Sequence, residues 1–572
     1  MRASRGGRRI HLLPVLLAAG LMAGCTASHY RKAADKEVYR IVAEKQNAAL
    51  GRTNDFTIAT RYSNRPPAEI TSTEIIDERL LGGPRKLSLG ETLQMATEGN
   101  RGYQSRKEQL YLTALTLTQA RYDFGPKFGA GATATGVRDS AGETSGRVRS
   151  QVTAEQLLRT GGSLGVTIAN DILRFYTGNP RSSATTLMSV NLLQPLLRGA
   201  GYKIVAENLT QAERNVVYEV RAFSQYQRTF AVDTVTAYFR LLQQKDTVRN
   251  EFNNYKNLVI ARERAEALAV DRGSAFESDQ ARQQELTAKS RYILAVEAYK
   301  NRLDQFKVTL GLSLDTDLGL DDGALAELSQ VGLLPVPLTS EEGYRLAVQY
   351  RLDLLNEIDR FEDSKRKIVV AADQLKASLN IFADASIGSE GPTDYTKFDW
   401  NKYRADAGIQ LNLPLDRLKE RNGYRATLIS FERQIRSLGQ TLDDTRNAIN
   451  QDLRTMDQAR QNYEIQKSSS ELASRRVESA TLLLQAGRAQ IRDLLEAQSA
   501  QIVARNAVTQ ALVDYHLGRL ALMIDVGLLE TDVDKFWVKT QTIPRAPQSN
   551  EPGLETPKSD EIIPPDQLFG SK

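Results

Sequence analysis

Two stretches of the chain, about 203–270 and about 424–485, run without a proline and space their apolar residues for helices. In the first, Leu209, Val216, Phe223 and Phe230 recur every seven residues, the period of a helix that buries a narrow stripe against a partner helix. At 1.5 Å per residue, about 65 residues predict a rod of about 100 Å, longer than a globular domain needs. A glycine with an acid six positions later interrupts each rod, Gly273 with Asp279 and Gly487 with Asp493. This pattern predicts hairpin tips, because glycine breaks the helix and the acid then sits in the first turns of the returning one. The return carries a 3-4 spacing in Val296, Tyr299, Leu303, Phe306 and Leu310, so it can pack back along its rod.

The pattern around the rods occurs twice. Ser88-Leu89-Gly90-Glu91 is a capping box that predicts a helix to about Asp123, and Thr339-Ser340-Glu341-Glu342 repeats it in the second half of the chain. Each helix gives way to period-two alternation, 128–136 and 379–387, which predicts strands. Each strand region returns to a helix through a proline, Pro195 in the first copy and Pro414 in the second. The prolines stand closer together than the capping boxes do, which leaves about 32 more residues in the first copy, and they too alternate. Strands are predicted near 126–136, 148–157, 163–171 and 186–194, with loops at 137–147 and 172–185 and a tight turn at Arg159-Thr160-Gly161-Gly162. The second copy shows two, near 378–388 and 404–413. A chain that enters and leaves a sheet on one side crosses it an even number of times, so six strands are allowed. The alternative is four, with the extra residues forming an external hairpin or a plug.

The N-terminus changes the compartment. Arg2, Arg5, Arg8 and Arg9 precede a short apolar core, 12–21, and Leu21-Met22-Ala23-Gly24-Cys25 resembles the box at which bacterial lipoproteins are acylated and cut. Cys25 is the chain's one cysteine, so neither an internal disulfide nor a cysteine zinc site is expected, and three histidines leave little for a His-built site. No later stretch reaches the roughly 20 apolar residues of a spanning helix, so any further membrane insertion must use strands. With 75 basic and 70 acidic residues the charge nearly cancels, which argues against a nucleic-acid surface. Gly161-Gly162 and Gly199-Ala200-Gly201 lack the Lys-Ser/Thr of a phosphate loop, and no catalytic constellation is visible, so an enzyme is not expected. The organisation reads as a signal peptide (1–24), a lipid anchor and N-terminal extension (25–87), two repeats (88–325 and 326–529) and a disordered tail rich in proline and acids (530–572). The extension opens with a charged helix, about 31–50, expected to lie outside the repeated core.

From about 88 to 529 this order of parts resembles the TolC-like outer-membrane efflux family, in its lipoprotein form. The resemblance rests on Gln194-Pro195-Leu196-Leu197-Arg198-Gly199 and Leu413-Pro414-Leu415 as strand-to-helix turns, on the paired rods and on the glycine-to-aspartate tips, all duplicated. It implies a mostly α fold with a membrane β-barrel: a homotrimer whose strands join in the outer membrane and whose coiled-coil hairpins form a tapering periplasmic tunnel. Six strands per subunit would give an eighteen-stranded barrel where the family's usual four give twelve. The implied function is a passive exit duct of a tripartite efflux pump, working with a periplasmic adaptor protein and an inner-membrane transporter. An exit duct for one-step protein secretion and a non-channel coiled-coil envelope lipoprotein are the alternatives. No cofactor is implied beyond a covalent lipid, such as palmitate, on Cys25.

By the same resemblance, Asp493 and Glu496 face the narrow end of the tunnel, where three copies give six carboxylates that favour cations. Both also suit an ordinary helix N-terminus, and the sequence leaves the two readings level. Asp279 matches a position that takes part in closing the aperture. Leu484 and Ala489 stand where an aromatic and an arginine would latch it, so the latch is left unassigned, with Arg488 or Arg492 as substitutes. Gly273, Ser274, Ala275 and Gly487 are small enough to let an adaptor's helices approach the tips.

Overall fold

A computed structural model describes residues 27–529 except 141, 178–180 and 272–274. Cys25, the signal segment and the 530–572 tail lie outside the described residues, as do Gly273 and Ser274 at the first tip. After helices α1 (Ala27–Leu50) and α2 (Ser72–Leu80), the first half runs α3 (Leu89–Gly99), α4 (Arg101–Tyr122), then strands β1 (Lys127–Arg138), β2 (Thr144–Leu157), β3 (Ser163–Phe175) and β4 (Ser182–Pro195), then α5 (Glu207–Asp271) and α6 (Ala275–Thr309). The second half runs α7 (Ser340–Tyr350), α8 (Leu352–Asp373), β5 (Ser378–Ser389), β6 (Phe398–Asn412), α9 (Leu418–Gln485) and α10 (Ile491–Asp525). The short helices have 11 and 22 residues in both halves, and both returning helices have 35.

Ser88 and Thr339 form the two predicted capping boxes, each side chain accepting from the backbone N–H three residues on. The helix expected to continue to about Asp123 instead breaks at Asn100, and its counterpart in the second half breaks at the equivalent position, Arg351. A tertiary contact imposes the break. The returning helices end in left-handed glycines, Gly311 (φ 73°) and Gly527 (φ 82°), whose neighbours close the frayed carbonyls: Leu312 N donates to Lys307 O, and Leu528 N to Met523 O. Each glycine lies backbone to backbone against the break. A Cβ on Gly311 would overlap the Gly99 carbonyl, and one on Gly527 would come within 2.7 Å of Arg351 N. Asn100 completes the first junction, accepting from Tyr103 N at 2.9 Å and donating to Thr309 O at 2.8 Å.

The rods are 65 and 68 residues long. Near the sheet α5 packs against α4 and α8, and farther out against α6 and α10. Val216, Phe223 and Phe230 of the seven-residue series are buried, and Phe306 and Leu310 are buried on the return. Ion pairs stitch the halves together where α5 meets α8. Arg214 Nε lies 2.5 Å from Asp363 Oδ1, Tyr218 donates to the other Asp363 oxygen at 2.6 Å, and Arg221 Nη1 lies 2.5 Å from Asp359. Burial disfavours charge on Asp363, yet hydrogen bonds from Tyr218, Gln211 and Arg366 and the charge of Arg214 outweigh it and hold the carboxyl below its usual range.

All six strands form one antiparallel sheet in the order β1-β2-β3-β4-β5-β6. The extra residues of the first copy are therefore an additional hairpin within the sheet, and six strands is the correct count. The strands are longer than the alternation suggested, because polar residues at the hairpin ends still pair; the loops shrink to about 139–143 and 176–181. Among the described residues the outer edges of β1 and β6 have no partner strand.

Two features escaped the pattern. Arg85–Leu87 pairs in parallel with Leu318–Leu320, a contact too short to read from alternation. The extension is docked on the core: Val38, Ile41 and Val42 of α1 are fully buried, and Tyr111 of α4 donates to Asp35 at 2.8 Å. Only a few apolar residues in a charged helix carry that packing, so no strong stripe announced it. The helix Gly323–Val331 runs across the 325/326 boundary drawn between the repeats.

Gly311→Ala and Gly527→Ala should each lower stability by roughly 2 kcal/mol or more, since left-handed strain and backbone overlap combine. Gly51→Ala, also left-handed but with open space around it, should cost only about 1 kcal/mol. Urea denaturation midpoints of the three variants check the ranking.

Candidate functional site: a two-faced sheet and a hairpin tip

Because successive side chains on a strand point to opposite faces, the ladder register sorts every strand residue onto one of two surfaces. One row across the sheet reads Ala130, Val152, Ile168, Met188, Ile387, Tyr403, and the next reads Phe128, Ala154, Val166, Val190, Ala385, Ala405. On the opposite face the rows read Lys127, Glu155, Gly165, Asn191, Asp384, Asp406 and Gly129, Thr153, Thr167, Ser189, Ser386, Arg404. Within the regular ladder, the charges on the apolar face are Arg138 and Arg174, both at the hairpin-loop end. On the polar face charges pair: Arg147 Nε donates to Asp171 at 2.7 Å, and Arg404 Nε to Asp406 at 2.8 Å. Much of the apolar face is nonetheless uncovered, with Val152 54% and Ile409 70% exposed, while Ala184, Thr186 and Ile387 toward its loop end are buried.

Glycines mark close contacts on the polar face. Gly129, Gly165 and Gly408 all sit on the polar face, and a Cβ on any of them would strike the facing side chain, Thr153, Asn191 or Phe382. At these positions glycine makes room for the side chain across the strand pair, whereas Gly131 on the same face has open space around it.

At the far end of the helices, the second tip is built as its sequence suggests. Gly487 (φ 70°) ends α9, with Arg488 N donating to Leu483 O at 2.8 Å and Gly487 N to Leu484 O at 3.1 Å. Gln490 then caps α10. Its backbone N–H donates to Asp493 Oδ2 at 3.3 Å, so Asp493 is the third residue of a capping box. Glu496, one turn on, is exposed and lies 3.7 Å from Arg476 of α9. Asp279 is exposed in the early turns of α6, and Ala275 opens that helix. Pro195 closes β4, and Pro414 follows β6.

The two tips are held together by small residues. Ala261, Ala265, Ala281 and Ala288 of the first hairpin pack with Ile491 and Leu495 of the second, and Leu484 lies against this cluster and against Ala480, Leu494 and Ala497. Nearer the sheet α5 buries Phe223, Phe230, Tyr238 and Phe239. Leu484, placed where a latch aromatic was sought, serves as core. Arg492 lies 3.6 Å from Asp493, and among the described residues Arg488 makes no ion pair.

A charged junction at the base of the second hairpin went unnoticed in the sequence. Arg351, at the α7–α8 break, reaches Asp353 at 2.9 Å and Asp525 at 3.1 Å, and Asp452 of α9 lies beside Asp525. Burial, then Asp525, push Asp452 up to about 7, with Arg351 pulling the other way. Farther up α10, burial and Arg519 push His516 down to about 4. These residues lie far apart in sequence, so no motif pointed to them. The two faces of the sheet, by contrast, could have been sorted from period two alone.

No protein-family profile matches the sequence, and no curated protein matches it. Solved structures do. The Campylobacter jejuni CmeC outer membrane channel superposes with a TM-score of 0.56 at 15% identity, over 85% of this chain and 97% of that one. The outer membrane protein VceC of Vibrio cholerae gives 0.54 at 14%, over 77% and 96%. The open state of the Neisseria gonorrhoeae MtrE outer membrane channel gives 0.56 at 14%, over 77% and 89%. The chain has the TolC-like fold. At this identity the shared property is the architecture: duplicated halves, long helical hairpins and a strand layer. This TolC-like chain places six strands in that layer.

Asp493→Ala should remove a cap worth about 1 kcal/mol and speed amide exchange in the first turn of α10, whereas Glu496→Ala should leave exchange there unchanged. The buried titrating groups predict opposite pH slopes. Asp452 holds a proton in the folded chain that the unfolded chain releases near 3.8, so its contribution falls as pH rises from about 4 to about 7. His516 stays neutral where the unfolded chain protonates near 6.5, so its contribution falls as pH drops from 6.5 toward about 4. Asp452→Asn should therefore raise stability above pH 7, and His516→Leu should flatten the acid limb. Denaturation at stepped pH reads both.

Proposed function

We propose that this chain is one subunit of a trimeric outer-membrane exit duct, the outermost part of a tripartite efflux pump. The observation that carries the reading is the two-faced sheet. A layer with an uncovered apolar surface on one side and a charged, glycine-relieved surface on the other suits a barrel wall between hydrocarbon and water. Among the described residues no helix is long and apolar enough to cross a membrane.

Free edges do not persist in hydrocarbon, where each unpaired backbone group costs several kcal/mol. Edge strands β1 and β6 therefore pair with those of neighbouring copies, and three copies close an eighteen-stranded barrel. Barrel diameter grows roughly in proportion to strand number, so this exit is about half as wide again as a twelve-stranded one. Such a wall contacts its passengers weakly and passes small molecules passively from the periplasm or an inner-membrane transporter to the exterior. The hairpins extend as a tunnel, with Asp493 and Glu496 ringing its narrow end, Asp279 at the closing aperture, and an adaptor protein seated at the tips around 273–275 and Gly487. A lipid on Cys25 anchors the N-terminus. A coiled-coil spacer lipoprotein would have no use for a sheet with two such different faces.

The purified protein should be a trimer that runs faster unheated than boiled on a denaturing gel and forms ion-conducting pores in planar bilayers. Asp493→Asn with Glu496→Gln should reduce the cation preference of those pores and their block by multivalent cations. A monomer with no conductance counts against the duct.

A further inference from the structure

The strand-to-helix turns carry exposed leucines that no packing explains. Leu415, immediately after Pro414, is 100% exposed, and its counterpart in the first half, Leu196 after Pro195, is 44% exposed. Strand parity carries Leu196 and Leu413 onto the apolar face: Leu196 N bonds Leu379 O in continuation of the ladder, and Leu413 follows Ile409 and Leu411 on β6. The apolar surface therefore runs past the ends of the strands into the turns. Polar residues would serve a turn in water equally well, and their absence at the same position in both halves calls for a partner.

The charges beside these leucines point to what the partner is. Lys203 follows the first turn, and Lys419 and Arg421 follow the second; all three are exposed, and among the described residues none meets a carboxylate. Arg417, Asp416 and Lys376 nearby have partners of their own. Arg417 ties the turns together by donating to Leu375 O at 2.7 Å and Pro414 O at 3.2 Å. Asp416 accepts from Leu418 N at 3.0 Å, at the start of α9 where a negative charge suits the helix dipole, Glu420 is half-buried in the same first turn, and Lys376 is paired with buried Asp373. An apolar ring bordered on its helix side by ammonium and guanidinium groups that meet no carboxylate matches the boundary of a bilayer, where acyl chains meet anionic headgroups.

We infer that the two strand-to-helix turns form a lipid-binding collar: Leu196, Leu413 and Leu415 enter the acyl region of the leaflet on the helix side, and Lys203, Lys419 and Arg421 hold anionic phospholipid headgroups. The collar fixes how deep the barrel sits. It rests on the reading of the sheet as a membrane barrel, and the test separates the two.

The full chain, with Trp400→Phe and Trp537→Phe to clear the background, is reconstituted in vesicles of phosphatidylethanolamine and phosphatidylglycerol carrying bromines either high or low on the acyl chain. Leu415→Trp should show blue-shifted emission quenched by the high bromines and little by the low ones, while Val152→Trp, mid-strand on the apolar face, should be quenched by the low bromines. If Val152→Trp is quenched and Leu415→Trp emits as in water, the collar is wrong and the barrel stands. If neither is quenched, the barrel reading itself fails. Replacing Lys203, Lys419 and Arg421 by alanine should abolish the enrichment of phosphatidylglycerol that co-purifies in mixed-lipid nanodiscs. Unchanged enrichment overturns the headgroup assignment.

Discussion

A single helix as long as α5, with so many charged side chains, does not hold itself straight in water, and everything else in this chain depends on the seam that does it. Isolated helical stability is marginal, and tertiary burial of one face supplies the rest. Here α5 buries Val216, Phe223, Phe230 and Tyr238 near the sheet, then Leu258, Ala261 and Ala265 toward the tip. The partners change along its length, shorter α4 and α8 at one end and the returning α6 at the other. The side chains buried in the seam thus set both the rigidity of the rod and its approach to its neighbours.

Where the seam changes partner, the backbone needs a stop. Gly311 against Gly99 and Gly527 against Tyr350 provide it twice, with a left-handed glycine that ends the returning helix in the same contact that breaks the facing one. The duplicated junctions are not chemically equal. Asn100 closes the first with neutral hydrogen bonds, whereas Arg351, Asp525 and Asp452 close the second with buried charge. A buried carboxylate pair responds to protons as an amide does not, so the second hairpin is the more pH-sensitive of two arms with the same outline.

The sheet obeys a different constraint. Its six strands satisfy their inner ladder bonds, but among the described residues the two outermost edges and most of one apolar face remain open. Both are stable only against something outside the single chain, which is why the functional reading rests on the strands more than on the helices. The rods carry the length; the sheet specifies the medium.

Much of this was legible because it repeats at short period. Seven-residue spacing gave the rods, alternation gave all six strands, and the glycine-to-acid pairs gave the tips, since each is a local rule that a few adjacent residues satisfy. Gly487 and Asp493 could be read as a cap from their spacing alone. Tertiary structure decided what depends on residues far apart: the helix breaks at Asn100 and Arg351, the docking of α1, the core role of Leu484, and the Arg351–Asp452–Asp525 junction. Sequence patterns record which face of an element is buried, whereas the partner that buries it, and the charge trapped between them, exist only once the chain has folded.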